Sequence, residues 1–218
     1  MHNIILIDDH PLMRKGLAQT LSGEVDLEVA GQMNSAEEAI EALNDGLDPD
    51  LAIVDISLPG MSGLELVKHL HATHPELYIL VVSRHDEMLY AERSIRAGAR
   101  GYLMKLEAGD VIVEAVRQVL NDRIYVSDPV NERLLQSMAT GGRESISQSP
   151  LEMLSDRELE VFELTGKGLG TRDIAEQLHL SVKTVESYRA RIKNKLNLDS
   201  ANELMRRAVK WVETEDVE

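Results

Sequence analysis

The chain has 218 residues, enough for one large domain or two small ones. Hydrophobic residues make up 43% of it but aromatic residues only 3%, so its cores must be built from Leu, Ile, Val, Ala and Met. It has no cysteine, which excludes disulfides, thiol catalysis and cysteine metal sites. No stretch approaches the roughly 20 apolar residues of a membrane helix, and no signal-peptide pattern precedes the first strand. We therefore expect a cytoplasmic protein with no membrane partner.

The net charge of −15 is unevenly distributed along the chain. Residues 1–120 carry 20 acids and 9 bases, whereas residues 151–212 carry 10 acids and 11 bases. The last six residues contain four acids and no base. Because the acidity belongs to the first half and the tail, it does not exclude nucleic acid as a partner of the second half.

The first 120 residues alternate between strand and helix patterns. Strands are predicted at residues 3–8, 27–32, 50–55, 77–83 and 100–104. Helices are predicted at residues 11–22, 35–45, 62–73, 86–97 and 108–120. Ser35 and Ser62 are predicted helix N-caps, each with a glutamate three residues later. The alternation predicts an α/β domain over residues 1–122, with a parallel sheet covered on both faces.

The alternation stops after residue 120. Residues 123–150 are predicted to be a linker, with a short helix from Asp128 to Met138 followed by a flexible stretch. Residues 151–218 are predicted to form a small all-α domain. In this domain, helices at residues 171–178 and 182–196 are joined by the turn at residues 179–181, which is the helix-turn-helix pattern of DNA-binding proteins. A last helix is predicted from about residue 200 to residue 211.

Three aspartates follow two of the predicted strands. Asp8 and Asp9 come after the first strand, and Asp55 after the third. Because the carboxyl ends of parallel strands meet at one edge of a sheet, these carboxylates should converge there. Single aspartates often mark strand ends without further function, but three at two strands favour a site for Mg²⁺, which prefers oxygen ligands.

Ser83 and Lys105 stand at the ends of the fourth and fifth predicted strands. Taken singly, they are as well explained as a turn residue and a surface lysine. Together with the aspartates they suit phosphoryl chemistry, in which a cation and a lysine neutralise phosphoryl oxygens while a carboxylate attacks phosphorus. Asp55 is the best candidate nucleophile because it stands alone on its strand. Asp8 and Asp9 are better placed as metal ligands.

These residues resemble the receiver domain of two-component response regulators. The resemblance rests on Asp8-Asp9, Asp55 with the following residues 56–63, Ser83 and Lys105. It implies a flavodoxin-like, doubly wound five-stranded sheet of order 2-1-3-4-5, and an Asp55 that accepts a phosphoryl group from a histidine kinase.

The same resemblance implies how Mg²⁺ is held. Asp9, Asp55 and the carbonyl of Ser57 would bind the ion directly, and Asp8 would bind it through water.

The resemblance also implies a switch pair, Ser83 and Tyr102, in which the hydroxyl binds the phosphoryl group and the aromatic ring turns inward. Two positions depart from the family pattern. Leu106 stands where a cis proline often follows Lys105, and a trans bond is expected because a non-proline cis bond costs about 2.5–4 kcal/mol. Arg84 stands where a small residue is common, and we expect it to shield the phosphoryl group.

The second helix of the helix-turn-helix is strongly basic. It carries one acid, Glu186, against five bases: Lys183, Arg189, Arg191, Lys193 and Lys195. Four apolar residues recur at helical spacing and should face inward, with Tyr188 beside them: Val182, Val185, Ile192 and Leu196. A basic helix is most often only a solvated face, but the preceding helix and turn favour contacts with DNA phosphates.

Residues 154–161, 171–175 and 181–188 are similar to the LuxR-type helix-turn-helix, and the whole chain resembles a NarL/FixJ-type response regulator. The resemblance implies that residues 182–196 enter the major groove as part of a dimer on an inverted repeat. Candidate base-reading residues are Lys183, Glu186, Ser187 and Ala190. Candidate phosphate contacts are Thr184, Arg189, Arg191 and Lys193.

Two positions in this domain leave alternatives open. Many relatives carry a basic residue where Glu186 stands, and an acid there could accept from cytosine N4 or simply weaken non-specific binding. The last helix, with Leu204, Ala208 and Trp211, could be a dimer face or could pack within its own domain.

The resulting prediction is a phosphorylation-switched transcription regulator that is not an enzyme, with Mg²⁺ as its cofactor. Three alternatives compete with it. A Mg²⁺-dependent phosphatase would need a second acid where Ser57 stands. An autoinducer-binding regulator would need an apolar ligand cavity. A phosphorylation-independent relative would usually have lost acidic or lysine positions that this chain keeps.

Overall fold

The computed structural model describes residues 1–139 and 150–215. The chain divides into two compact units, Met1–Arg143 and Glu144–Glu218. The first unit therefore extends beyond the predicted domain limit at residue 122. The predicted flexible stretch at residues 140–149 lies outside the described residues.

The first unit is built on five parallel strands in the order β2-β1-β3-β4-β5, which confirms the predicted fold. The strands are β1 (His2–Ile7), β2 (Leu27–Met33), β3 (Leu51–Val54), β4 (Tyr78–Ser83) and β5 (Gly101–Met104). All four residues of β3 are buried, as are Ile4–Ile7 in β1. Because successive side chains of a strand point to opposite faces, both faces of the sheet are covered.

Five helices connect and cover the strands. They are α1 (Pro11–Leu21), α2 (Ala36–Asn44), α3 (Gly63–Thr73), α4 (Glu87–Ala97) and α5 (Ala108–Leu120). One face of the sheet packs against apolar residues of α1 and α5. The predicted caps are present: Ser35 Oγ accepts from the Glu38 N–H, and Ser62 forms a capping box with Glu65.

The start of α3 lies unusually close to the end of β3. A Cβ atom on Gly63 would lie 1.9 Å from the carbonyl oxygen of Asp55 and 2.7 Å from Cα of Ile56. Only a residue without a side chain fits there. Gly63 thus allows α3 to begin directly against the backbone that carries Asp55.

The first part of the predicted linker packs onto the first unit. Tyr125 pairs with Gly101 at the edge of β5. A sixth helix, α6 (Asp128–Ala139), lies against α4, where Ser127 Oγ donates to Glu87 Oε1 at 2.7 Å and Arg133 donates to the carbonyl of Met88 at 3.0 Å. The sequence predicted this helix but not its attachment, because long-range contacts leave no local pattern.

The second unit is small and all-helical, as predicted. After a 3₁₀ turn (Pro150–Met153) it contains α7 (Asp156–Gly166), α8 (Thr171–Gln177), α9 (Val182–Lys195) and α10 (Ala201–Glu215). Its fully buried apolar core includes Phe162, Val185, Ile192 and Leu204. The ring of Trp211 lies 5.6 Å from that of Phe162, so α10 packs within its own unit at this residue. No helix in the described residues is long and apolar enough to cross a membrane.

Candidate acidic site and DNA-binding helix

The carboxyl ends of β1, β3 and β5 bring Asp8, Asp55 and Lys105 together. Nζ of Lys105 lies 2.7 Å from Oδ2 of Asp8 and 2.8 Å from Oδ2 of Asp55. The three side chains are at most 6% exposed. A buried charge is costly unless it is paired, so the ammonium group compensates two carboxylates that would otherwise repel each other. The peptide bond after Lys105 is trans, as predicted, since no described peptide bond is cis.

Asp9 and His10 complete this acidic cluster. Nδ1 of His10 lies 2.6 Å from Oδ1 of Asp9, 3.3 Å from Oδ1 of Asp8 and 3.9 Å from Oδ2 of Asp55. One ligand atom from each of these four residues lies within 4.8 Å of the others. Burial raises the pKa of Asp9; His10 opposes the rise, and the carboxylates of Asp55 and Asp8 add to it. A divalent cation would relieve this crowding, so the donor set fits Mg²⁺.

Arg84 contacts His10, a member of the acidic cluster. Its Nη2 atom lies 2.7 Å from Nε2 of His10. Because a guanidinium group only donates hydrogen bonds, Nε2 of His10 is the acceptor in this contact. Sequence reasoning singled out Arg84 but not His10, whose only signal was its place directly after Asp8-Asp9.

The predicted switch residues, Ser83 and Tyr102, are both buried, and both bond the backbone of His85. The Tyr102 hydroxyl donates to the carbonyl of His85 at 2.7 Å, and the backbone N–H of His85 donates to Ser83 Oγ at 3.4 Å. The Tyr102 ring therefore points inward. The His85 imidazole makes a further contact, with Nε2 2.7 Å from Oγ of Ser57. His85 could not be predicted from sequence, because a single histidine two residues after a strand belongs to no pattern.

In the second unit, α9 buries Val185 and Ile192 and exposes most of its predicted DNA-binding residues. The prediction that Val182 faces inward is wrong, since it is 40% exposed. It is the first residue of α9, directly after the Ser181 N-cap. A cleft of about 320 Å³ on α9 is lined by Ser181, Lys183, Thr184, Ser187, Tyr188 and Arg191.

Contacts within the second unit occupy two of the five bases of α9. Arg189 donates to Thr171 Oγ1 at 2.9 Å, and Nζ of Lys195 lies 2.6 Å from Oε2 of Glu158. Of these two, only Lys195 is paired with an acid, whereas Arg189 bonds a neutral hydroxyl and keeps its charge. The basic surface is therefore narrower than the sequence suggested by Lys195 alone. Among the other candidates, Glu186, Ser187 and Ala190 are exposed, and Oγ1 of Thr184 lies 2.7 Å from Oγ of Ser181 at the helix cap.

Both units match known protein families. Residues 4–117 match the response regulator receiver domain, and residues 152–208 match the bacterial regulatory proteins of the luxR family. The transcriptional activator protein ExaE of Pseudomonas putida is 38% identical over 206 residues, which cover 94% of this chain and 95% of ExaE. The chain is a NarL/FixJ-type response regulator.

Solved structures of another response regulator, RcsB, share this architecture. RcsB of Salmonella enterica, bound to the promoter P1flhDC with the phosphomimetic BeF₃⁻, aligns with a TM-score of 0.64 at 25% identity over 95% of this chain and 98% of RcsB. A structure of two RcsB dimers bound to two parallel DNAs aligns with a TM-score of 0.57 at 25% identity over 94% and 96%.

Membership of this family removes two of the three alternative functions left by the sequence. The response regulator is a transcription regulator of a two-component system and not an enzyme, which removes the phosphatase alternative. Its first unit is a receiver domain, so the autoinducer-binding alternative is also removed. The receiver match contains every residue of the acidic cluster and its neighbours, and the luxR match contains all of α9.

Proposed function

We propose that Asp55 accepts a phosphoryl group from a cognate histidine kinase in the presence of Mg²⁺, and that this promotes dimerisation and binding to an inverted-repeat promoter site. Residues 1–122 would be the phosphoacceptor domain and residues 151–218 the DNA-binding domain, joined by residues 123–150. The regulator would act in the cytoplasm, where the DNA is. The main support is the position of Lys105, with Nζ 2.7 Å from Asp8 and 2.8 Å from Asp55 in a nearly closed site.

The chemistry follows from these positions. A carboxylate oxygen of Asp55 attacks phosphorus as the bond from phosphorus to the kinase imidazole nitrogen breaks, and the imidazole leaves with the electron pair and takes up a proton. Lys105 Nζ can move from the carboxylates to a phosphoryl oxygen, and Ser83 Oγ can donate to another. Mg²⁺, held by Asp9, Asp55 and the Ser57 carbonyl and through water by Asp8, would supply positive charge for the phosphoryl oxygens.

Labelling with acetyl phosphate tests this assignment. The full chain should be labelled only when Mg²⁺ is present, and peptide mapping should locate the label in the peptide that contains Asp55. Chelation of Mg²⁺ should prevent labelling. A label on another residue, or labelling that does not need a divalent cation, would contradict the proposal.

Arg84 should prolong the life of the phosphoryl group. Its guanidinium contacts His10, a member of the acidic cluster, and from there it would hinder the approach of water to phosphorus. Replacing Arg84 by Ala should therefore speed dephosphorylation several-fold, measured as the decay of label after acetyl phosphate is removed. Arg96→Ala, which removes an exposed arginine of α4 that pairs with Glu92, is the control. An unchanged decay rate in Arg84→Ala would show that Arg84 does not shield the site.

Two exposed leucines flank the acidic cluster and suit a protein donor. Leu12 is 87% exposed and follows His10 by two residues; Leu106 is 89% exposed and follows Lys105 directly. Burying a leucine side chain contributes about 1.5–3 kcal/mol. The double substitution to Ala should thus lower kcat/KM for phosphotransfer from the kinase about tenfold or more, and should affect labelling by acetyl phosphate much less.

Val25→Ala is the matched control for the leucine substitutions. Val25 is 97% exposed but lies in the turn before β2, at the opposite edge of the sheet. It should leave phosphotransfer unchanged. If the leucine variant loses both reactions equally, the leucines support the site itself and do not contact the kinase.

The exposed surface of α9 supports DNA binding in the major groove. Lys183 and Arg191 line its cleft together with three hydroxyl groups and Tyr188, and such a set can contact phosphates and base edges. Dimerisation has support in α10, where Met205 and Val209 are only partly buried and, being four residues apart, share one face of the helix. RcsB, which also joins a receiver to this kind of domain, binds DNA as dimers.

Glu186 should read a cytosine. It is exposed, and no base in the described part of the chain pairs with it. An unpaired carboxylate near phosphates is repulsive, but it can accept from cytosine N4 in the major groove. Glu186→Gln should weaken discrimination at one base pair of each half-site by about 1–3 kcal/mol, measured with single-substitution DNA sites.

Glu176→Gln is the control for Glu186→Gln. Glu176 is an exposed acid on α8, and its substitution also removes one negative charge. If Glu186→Gln only tightens binding to all sites alike, the acid limits non-specific binding and does not read a base.

A further inference from the structure

His85 joins three parts of the receiver that are distant in sequence. Its Nε2 atom lies 2.7 Å from Oγ of Ser57, in the loop that follows Asp55. Its ring stacks on Tyr90 of α4, with centroids 4.6 Å apart and an angle of 30° between the rings. Its carbonyl accepts the hydroxyl of Tyr102 from β5 at 2.7 Å. His85 is itself buried, so these contacts form in a site with little solvent.

We propose that His85 is a positioning residue that couples the loop after Asp55 to α4 and Tyr102. This proposal rests on the function proposed for Asp55. Ser57 lies two residues after Asp55 and carries the carbonyl expected to bind the metal. Any adjustment of this loop as the site takes up charge must therefore move Ser57 Oγ, and with it the imidazole of His85.

The packing around His85 leaves little room for it to absorb such a movement. Tyr90 is fully buried, and Tyr102 nearly so. Close-packed interiors transmit displacements and tend to switch between discrete arrangements. Because the hydrogen bond to Ser57 and the stack on Tyr90 belong to the same ring, a shift at Ser57 changes the contact with α4.

The helix that contacts His85, α4, is in turn hydrogen-bonded to residues at the start of α6 and within it. Glu87 and Met88, in the first turn of α4, accept hydrogen bonds from Ser127 and Arg133, at the start of α6 and within it. A shift of α4 would therefore also affect α6, the last helix of the first unit. His85 thus gives the acidic cluster a physical route to α6.

Amide chemical shifts of the full-length protein can test the coupling. In the wild type, adding Mg²⁺ and the phosphoryl mimic beryllofluoride should shift amides both in the loop after Asp55 and in α4 (Glu87–Ala97). In His85→Ala the loop should still respond, but the α4 shifts should fall at least about twofold. Ser57→Ala, which keeps the backbone carbonyl, should give the same result, and the double variant should lose no more than either single one.

Two further variants separate coupling from general damage to the fold. His85→Gln retains an amide that can bond Ser57 Oγ and should recover part of the α4 response, which a merely structural role would not predict. His74→Asn is the control, because His74 bonds a hydroxyl, Oγ1 of Thr73 at 2.8 Å, away from the acidic cluster. It should behave as the wild type does. If His85→Ala does not fold, Ser57→Ala decides the question, because Ser57 is only partly buried.

Two results would overturn the proposal. One leaves the function proposed for Asp55 intact, and the other contradicts that function as well. If the loop responds to beryllofluoride and the α4 shifts are of wild-type size in both His85→Ala and Ser57→Ala, the coupling through His85 is wrong and the function of Asp55 is unaffected. If the loop of the wild type does not respond at all, the function proposed for Asp55 fails, and the role of His85 fails with it.

Discussion

Replacing Asp55 by Asn is expected to abolish labelling by acetyl phosphate and every increase in DNA affinity that labelling produces. The amide is a very poor nucleophile, so the rate should fall by several orders of magnitude. The substitution also removes a negative charge 2.8 Å from Lys105 Nζ, and it weakens the metal site because an amide binds Mg²⁺ less well than a carboxylate does. The measurement is the fraction of protein labelled with time, followed by DNA affinity before and after labelling.

Asp48→Asn is the control for Asp55→Asn. Asp48 is exposed and lies before β3, at the opposite end of the strand from Asp55. The control substitution therefore removes the same charge, but at a place away from the acidic cluster. It should be labelled as the wild type is. Labelling of Asp55→Asn to the wild-type level would show that another residue is the acceptor.

Replacing Gly63 by Ala should destabilise the receiver and damage the acidic site together. The new methyl group would lie 1.9 Å from the Asp55 carbonyl oxygen and 2.7 Å from Cα of Ile56, and neither backbone atom can turn aside as a flexible side chain could. Overpacking usually costs about 1–3 kcal/mol, and we expect a cost at or above the upper end of that range. Since α3 or the end of β3 must move, labelling should also slow. Urea unfolding followed by circular dichroism and acetyl phosphate labelling measure the two effects.

Two internal controls accompany Gly63→Ala. Gly16 lies within α1 with no heavy atom within 4 Å of a Cβ placed on it, so Gly16→Ala should stabilise the receiver by about 0.5–1 kcal/mol. The only tryptophan is Trp211, in the second unit, so its fluorescence reports unfolding of that unit. Unfolding of the second unit should be nearly the same in Gly63→Ala as in the wild type. A Gly63→Ala protein of wild-type stability and labelling rate would contradict the close approach of α3 to Asp55.

The acidic site could be predicted from sequence because its residues stand directly after short apolar runs, which indicate strands without any knowledge of distant contacts. Asp8, Asp55 and Lys105 each follow a short apolar run, and parallel strands bring their carboxyl ends to one edge. The strand order came from the resemblance to receivers, which the structure and the comparisons bear out. Gly63 was predicted only as part of the start of a helix. Nothing in the sequence shows that the backbone of Asp55 lies close to Gly63.

The contacts that the sequence missed are long-range. Ser57 and His85 are 28 residues apart, and neither belongs to a periodic pattern. Lys195 was counted with the basic face of α9, but it pairs with Glu158, which is 37 residues away. Val182 matched the apolar spacing of α9, yet the tertiary fold does not cover the first turn of that helix. Charge counts and periodicity cannot show which groups find partners in the folded chain.

The central claim is that charge on Asp55 controls dimerisation and DNA binding. It is tested most directly by measuring the size of the full-length protein and its affinity for an inverted-repeat DNA, selected by the protein from a random pool, with and without Mg²⁺ and beryllofluoride. Salt must be held constant, because DNA affinity depends steeply on it. We expect a monomer that becomes a dimer and binds this DNA at least about tenfold more tightly, a gain of roughly 1.4 kcal/mol or more. A protein whose size and DNA affinity do not change when beryllofluoride occupies the Asp55 site would contradict this claim.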